Sequence, residues 1–279
     1  MAAAAENIDS LRDRYSRVRG RSLDLAADLR PEDTVVQSMP DVSPTKWHLA
    51  HVTWFFERFV LEPCGQARFN DEYHYLFNSY YNSVGEMHPR PKRGEITRPT
   101  LDEVLDYRAH VDAAMTSLLD AGGLRDELTG VLELGLQHEQ QHQELLLTDI
   151  KHVLAQNPLR PAARLDLHAP PTVDPPALEF IEGETGIVQI GHDGDGFCFD
   201  NETPQHDALL HPHAIANRLV TNGEFREFIL AGGYEQPEHW LSDGWAAIRD
   251  RSWHGPLYWD ESLQSEFTLG GMRDIDDNA

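Results

Sequence analysis

The chain has 279 residues, 40% hydrophobic and 25% charged, long enough for two domains and ordinary for a globular protein. Its formal net charge of −24, from 47 acidic and 23 basic residues, argues against a nucleic-acid partner, because phosphate binding needs clustered Lys and Arg. No apolar run approaches the ~20 residues of a membrane span, Met1-Ala2-Ala3-Ala4-Ala5-Glu6 has no signal-peptide pattern, and Cys64 and Cys198 form neither a disulfide framework nor a C-x-x-C site, so a cytoplasmic protein is expected.

In chain order, Glu6 to Leu29 alternates charged and apolar residues at helical spacing. A second helix is expected to start near Ser43-Pro44, with Ser as cap and Pro in the first helical position, and to run through Trp47, His51, Trp54, Phe55 and Phe59 to about Leu61. Residues 62–99 form a long loop rich in tyrosine, which reads as functional rather than disordered. Thr100-Leu101-Asp102-Glu103 is a capping box opening a third helix that ends near Gly122-Gly123. The fourth runs from about Leu124 to Gln156, with an apolar stripe through Val131, Leu134, Leu145, Leu146 and Val153. Four such helices predict a bundle over residues 1–157. Pro158, Pro161, Pro170, Pro171, Pro175 and Pro176 mark residues 158–178 as a stiff linker. Beyond it, residues 179–279 read as irregular α+β, with a strand at Ile187–Gly191 and a helix at Asn222–Ile229.

The informative motif is His138-Glu139-Gln140-Gln141-His142. Imidazoles four residues apart on a helix share a face, roughly 5–6 Å apart at Cβ, which suits adjacent ligands of one metal ion. Both fall on the expected apolar stripe, and a buried neutral imidazole needs a hydrogen bond or a metal. A third ligand is expected from the second helix, where spacing alone leaves His48 and His51 open. The letters also fit the H-E-x-x-H zinc-protease pattern, with Glu139 as general base. Leu145 and Thr148 stand where a metzincin continuation wants Gly and His, and the proline-rich segment follows too soon for a glutamate ligand on another helix. Three imidazoles with no carboxylate leave coordination positions open and suit Zn, Cu, Fe and Ni alike.

Further segments carry a family resemblance. Asp41-Val42-Ser43-Pro44-Thr45-Lys46-Trp47-His48-Leu49-Ala50-His51-Val52-Thr53-Trp54-Phe55, Phe77-Asn78-Ser79-Tyr80-Tyr81-Asn82, His88 to Gly94, and Gln137 to Glu144 resemble the first domain of the ergothioneine-biosynthesis sulfoxide synthases of the EgtB type. Val220 to Phe225 with Gly232-Gly233-Tyr234 resembles the start of that family's second domain. The resemblance implies a DinB-like four-helix bundle followed by a partial sulfatase-modifying-factor (formylglycine-generating-like) α+β domain. It implies non-haem iron(II) held by His51, His138 and His142, with His48 in a supporting role. It further implies a reaction that uses O2 to join γ-glutamylcysteine or cysteine to hercynine, giving a sulfoxide. Gln141 matches a residue near the hercynine imidazole, and Arg90 and Arg93 match residues that hold the thiol substrate's carboxylates, a task suited to guanidinium forks.

Family members continue well past Asp277-Asn278-Ala279. The resemblance therefore implies a C-terminally truncated form, with the proton-donating tyrosine and much of the trimethylammonium pocket in the missing part, and poor turnover by this chain alone. The other readings are an ovothiol-type synthase using histidine and cysteine, a DinB-type metal-dependent thiol transferase that needs no O2, and a non-catalytic metal-binding remnant.

Overall fold

The computed structural model describes residues 2–79 and 85–279, with side chains described from Leu11 onward. Tyr80, Tyr81 and Asn82 of the resembling loop lie outside the described residues. The chain divides into two compact units, Met1–Leu167 with Phe267–Gly271, and His168–Glu266 with Met272–Ala279.

The first unit is a helical bundle of α1 (Ala2–Ala26), α2 (Thr45–Phe56), the short α3 (Tyr73–Phe77), α4 (Leu101–Asp120) and α5 (Thr129–Gln156). α2 is its axis, packing on both α4 and α5. All 12 of its residues are buried, as expected of a helix that is hydrophobic nearly all round. Trp54, Phe55 and Phe56 meet Leu11 and Tyr15 of α1, Tyr107, Val111 and Met115 of α4, and Leu132 and Leu136 of α5 in one core. α2 and α5 approach closely because Gly135 has no side chain, since a Cβ there would lie 2.6 Å from Phe56 Cε1 and 2.9 Å from Phe55 Cε1. α2 then continues as a π-helical turn, Glu57–Leu61.

The Thr100–Glu103 capping box forms as read from the sequence. Ser43 does not cap α2. Pro44 takes the cap position without a side-chain bond, and Ser43 Oγ instead accepts from Arg93 Nη1 (2.8 Å). The core face of α5 also differs from the expected stripe. Leu146 and Val153 of that stripe are buried, but Leu134 and Leu145 are 39% and 44% exposed, and Leu132, Leu136, Glu139 and Ile150 take the other core positions. A charged residue occupies a core position, so counting apolar letters displaced the stripe.

Glu139 is fully buried because α1 and α4 supply its partners. Arg19 donates through Nη1 (2.9 Å), Ser22 through Oγ (2.6 Å) and Arg108 through Nη2. Burial alone would raise this carboxyl, but the two guanidiniums outweigh it and hold it below the ordinary carboxylate value. Arg19 also donates through Nε to Asp112 (2.6 Å), tying the same knot to α4.

Within the expected loop, residues 62–99 include α3 and a 3-10 turn, Arg90–Glu95. No helix or strand lies between Gln156 and Phe180, the proline-rich stretch. The second unit is mixed. β1 (Phe180–Glu182) pairs antiparallel with β4 (Ala214–Ala216), and β2 (Gly186–Ile190) with β3 (His206–Leu210), Gly186 opposite Leu210. α6 (Asn222–Leu230) and α7 (Ser242–Arg251) follow, and the β5–β6 pair (Ser265–Thr268, Gly271–Asp274) is divided, its residues Phe267–Gly271 being counted with the first unit. The strand near Ile187 and the helix from Asn222 were legible in the sequence, whereas α7 was not. Among the described residues no helix is long and apolar enough to cross a membrane.

Candidate metal centre

α2 and α5 bring His51, His138 and His142 together, one ring nitrogen from each lying within 4.8 Å of the others. His48 is not in that cluster. Its Nε2 lies 2.9 Å from Asp149 Oδ2 and its Nδ1 lies 2.8 Å from His142 Nδ1. Of the two α2 histidines that spacing left open, His51 is the one grouped with the α5 pair. Both α5 histidines are partly buried, on the flank of the helix rather than in its core.

Each ring is positioned differently. His51 donates through Nδ1 to Phe77 O (2.6 Å), which leaves the Nε2 lone pair facing α5, 3.3 Å from His138 Nε2. Trp47 stacks on the His51 ring at 4.5 Å and 12°, and Trp54 lies nearly parallel at 5.8 Å. Trp47 is itself held by an Nε1–H bond to Leu76 O (3.1 Å) and by Arg93, whose Cζ lies 3.4 Å from the Trp47 ring centroid. His138 packs against Phe55, and its Nδ1 is buried without a hydrogen-bond partner among the described residues.

The donor set fits a metal ion. Two nitrogens each about 2.1 Å from one ion, subtending about 90–109°, are separated by about 3.0–3.4 Å, the range that holds the 3.3 Å His51–His138 separation. The rings are also neutral, as ligation requires. Burial holds His51 well below the ordinary imidazole value, with repulsion from His138 next. Burial takes His138 down to about 4 against the opposing pull of Glu139. His142 is held well below the ordinary value by burial and then by the neighbouring histidines. Arg93 adds to the lowering at His51 and His142.

The cluster floors a cleft of about 290 Å³, walled by Asp41, Ser43, Ser79, Arg90 and Arg93, with Leu145 and Asp149 along α5. Arg93 is buried. It donates through Nη1 to Ser43 Oγ and through Nη2 to Ser79 Oγ, both 2.8 Å. Arg90 is exposed at the rim, donating to Asp41 O. Gln141 is exposed on α5 and is not part of the cleft wall. Glu139 points the other way, into the Arg19–Arg108 knot, and is engaged at both oxygens. It is not placed to act on a ligand of the cluster, which removes the structural basis for the protease pattern.

Asp149 escaped the sequence reading. Its signal was its position seven residues after His142, about two turns along the same face. Ser43 escaped because a serine before proline reads first as a cap.

Residues 14–146 match the DinB superfamily, and residues 169–266 match the sulfatase-modifying factor enzyme 1-like domain. The chain is thus an N-terminal DinB-like helical domain followed by a sulfatase-modifying-factor-like domain. It is 26% identical over 260 residues to the hercynine oxygenase of Mycolicibacterium smegmatis, covering 90% of this chain and 57% of that protein. It is 26% identical over 263 residues to that of Mycobacterium tuberculosis, covering 93% and 60%. With that of Mycolicibacterium thermoresistibile it is 26% identical over 268 residues, covering 92% and 56%. The chain therefore spans less than two thirds of the length of these relatives.

Proposed function

We propose that the chain belongs to the sulfoxide synthases of ergothioneine biosynthesis, binding iron(II) through His51, His138 and His142 and using O2 to join a thiol substrate to hercynine. One observation carries the reading: three neutral imidazoles converge, with no carboxylate among them, on the floor of a cleft overlooked by two arginines. Support comes from relatives named hercynine oxygenase. Bound iron(II) would supply the redox chemistry and the open positions that a thiol and O2 require.

The chain's own residues prepare that site. The bond from His51 Nδ1 to Phe77 O fixes which nitrogen faces the cluster and holds the ring plane, as outer partners of metal-binding histidines do. Arg93 places a permanent positive charge behind the cleft wall, favouring an anionic thiol substrate and keeping the imidazoles unprotonated. Arg90, at the rim, is assigned to the substrate carboxylate. Arg93, held by Ser43 and Ser79 through its two Nη groups, is assigned to the substrate carboxylates with Arg90 and adds its field. Gln141 enters the proposal through the resemblance alone, as a contact to hercynine on the solvent side of the α5 turn.

The test is aerobic incubation of the iron-loaded protein with hercynine and either γ-glutamylcysteine or cysteine, followed by mass spectrometry. A sulfoxide adduct that requires both the metal and O2 supports the proposal. Preference for histidine over hercynine would move the assignment to an ovothiol-type synthase. Adduct formation without O2 would indicate a thiol transferase. Iron binding with no adduct from any pair would leave only a metal-binding module.

A further inference from the structure

We propose that Asp149 and His48 form a relay that fixes the tautomer of His142, so that its Nε2 presents a lone pair to the metal. The inference rests on the three-histidine reading above and adds two positioning residues to it.

The relay is built from three contacts. Asp149 Oδ2 accepts the Ser43 backbone N–H (2.8 Å) and lies 2.9 Å from His48 Nε2. His48 Nδ1 lies 2.8 Å from His142 Nδ1. An oxygen that already accepts a backbone N–H is the acceptor for the imidazole as well, so His48 Nε2 carries a proton. Two ring nitrogens 2.8 Å apart need one proton between them. If His48 is neutral, its Nδ1 is the lone pair and His142 Nδ1 is the donor, which leaves His142 Nε2 unprotonated and free to ligate. The opposite arrangement requires a doubly protonated His48 and puts a proton on His142 Nε2, where it would block ligation.

Burial disfavours the cationic His48 that the opposite arrangement needs. His48 is 3% exposed and Asp149 9%, so the contacts compete little with water. Asp149 sits on the same helix as His142, and its bond to Ser43 N pins the segment that leads into α2. One carboxylate therefore registers the two ligand-bearing helices and, through His48, orients a ligand. The three ligands are unequal in this respect. His51 is oriented by Phe77 O and His142 by the relay, while His138 Nδ1 has no partner among the described residues.

The test reads the tautomer directly. Metal-free protein with 15N-labelled histidine is examined by long-range 1H–15N correlation. His142 is expected as the Nδ1–H form in wild type, reverting toward the Nε2–H form that free imidazole favours in H48F and D149A. D149N keeps an acceptor oxygen and is expected to retain the wild-type tautomer. In zinc and iron(II) titrations, H48F and D149A are expected to bind about 10–100-fold more weakly than wild type, the usual cost of removing an outer partner, with D149N nearer wild type. H48F preserves ring volume, so it reports even where D149A does not fold. An Nε2–H tautomer in wild type, or H48F that stays folded with unchanged tautomer and metal affinity, would overturn the relay. Wild type that binds no metal would overturn the three-histidine reading instead, and the tautomer measurement would still decide the relay.

Discussion

Replacing Glu139 by glutamine separates the two meanings of the H-E-x-x-H letters. In the structure Glu139 is fully buried, and it is the ion-pair partner of Arg108 and one of two for Arg19. The amide keeps the shape but removes the one ion-pair partner that the buried Arg108 has among the described residues, leaving it only the smaller pull of Asp112, while Arg19 retains its bond to Asp112. Breaking a buried pair from one side costs about 3–5 kcal/mol, because the remaining charge stays out of water. With a urea m-value of about 2 kcal/mol/M, the bundle's unfolding midpoint should fall by about 1.5–2.5 M. Removing the stranded charge as well, in an E139Q/R108M double variant, should recover much of that loss. Metal affinity at a temperature where the fold is intact should stay close to wild type, because Glu139 faces away from the cluster. Unfolding followed by tryptophan fluorescence, paired with metal titration, checks both. An E139Q protein as stable as wild type but unable to bind metal would refute the reasoning.

Gly135→Ala should cost about 1–3 kcal/mol through overpacking against Phe55 and Phe56, and should also weaken metal binding, because Gly135 lies one turn before His138. Chemical denaturation and zinc titration read the two effects, and an alanine variant indistinguishable from wild type would show that the close helix approach is not needed. Trp47→Leu should loosen His51 and weaken metal binding with a smaller effect on the fold than Trp54→Leu, since Trp54 is the more deeply buried of the two. In the second domain, the hydrogen bonds of Arg218 come first among the causes that hold the Glu224 carboxyl at about 2, against an ordinary value of 4.5. A depressed carboxyl stabilises the fold above its unfolded value of 4.5 and loses that contribution as pH falls toward about 2. A carboxyl-carbon NMR titration should show this, and Arg218→Ala should move the midpoint back up.

The centre was legible where chemistry repeats at helical spacing. His138 and His142 declare a shared face through their four-residue separation, and Thr100-x-x-Glu103 declares a helix start through local hydrogen bonds alone. What escaped depends on partners distant in sequence. Glu139 is an inward residue because Arg19 and Arg108 arrive from other helices, which no periodicity on α5 can reveal. Ser43 serves Arg93 and Asp149 rather than α2, because tertiary partners outbid a local cap. The grouping of His51 rather than His48 with the α5 pair depends on how α2 is turned against α5, which spacing within α2 does not give. Arg93 reads in the sequence as a match to a carboxylate-holding residue, and nothing there shows the stacking on Trp47 or the two serine partners that bury it.

The most direct test of the central claim is anaerobic iron(II) titration of wild type beside H51A, H138A and H142A, with H110A, outside the cluster, as control. One iron per chain is expected in wild type and in H110A. Each of the three other variants should lose more than the about hundredfold that removal of an outer partner costs. Stoichiometric iron binding that survives any one of these three substitutions with unchanged affinity would contradict the account.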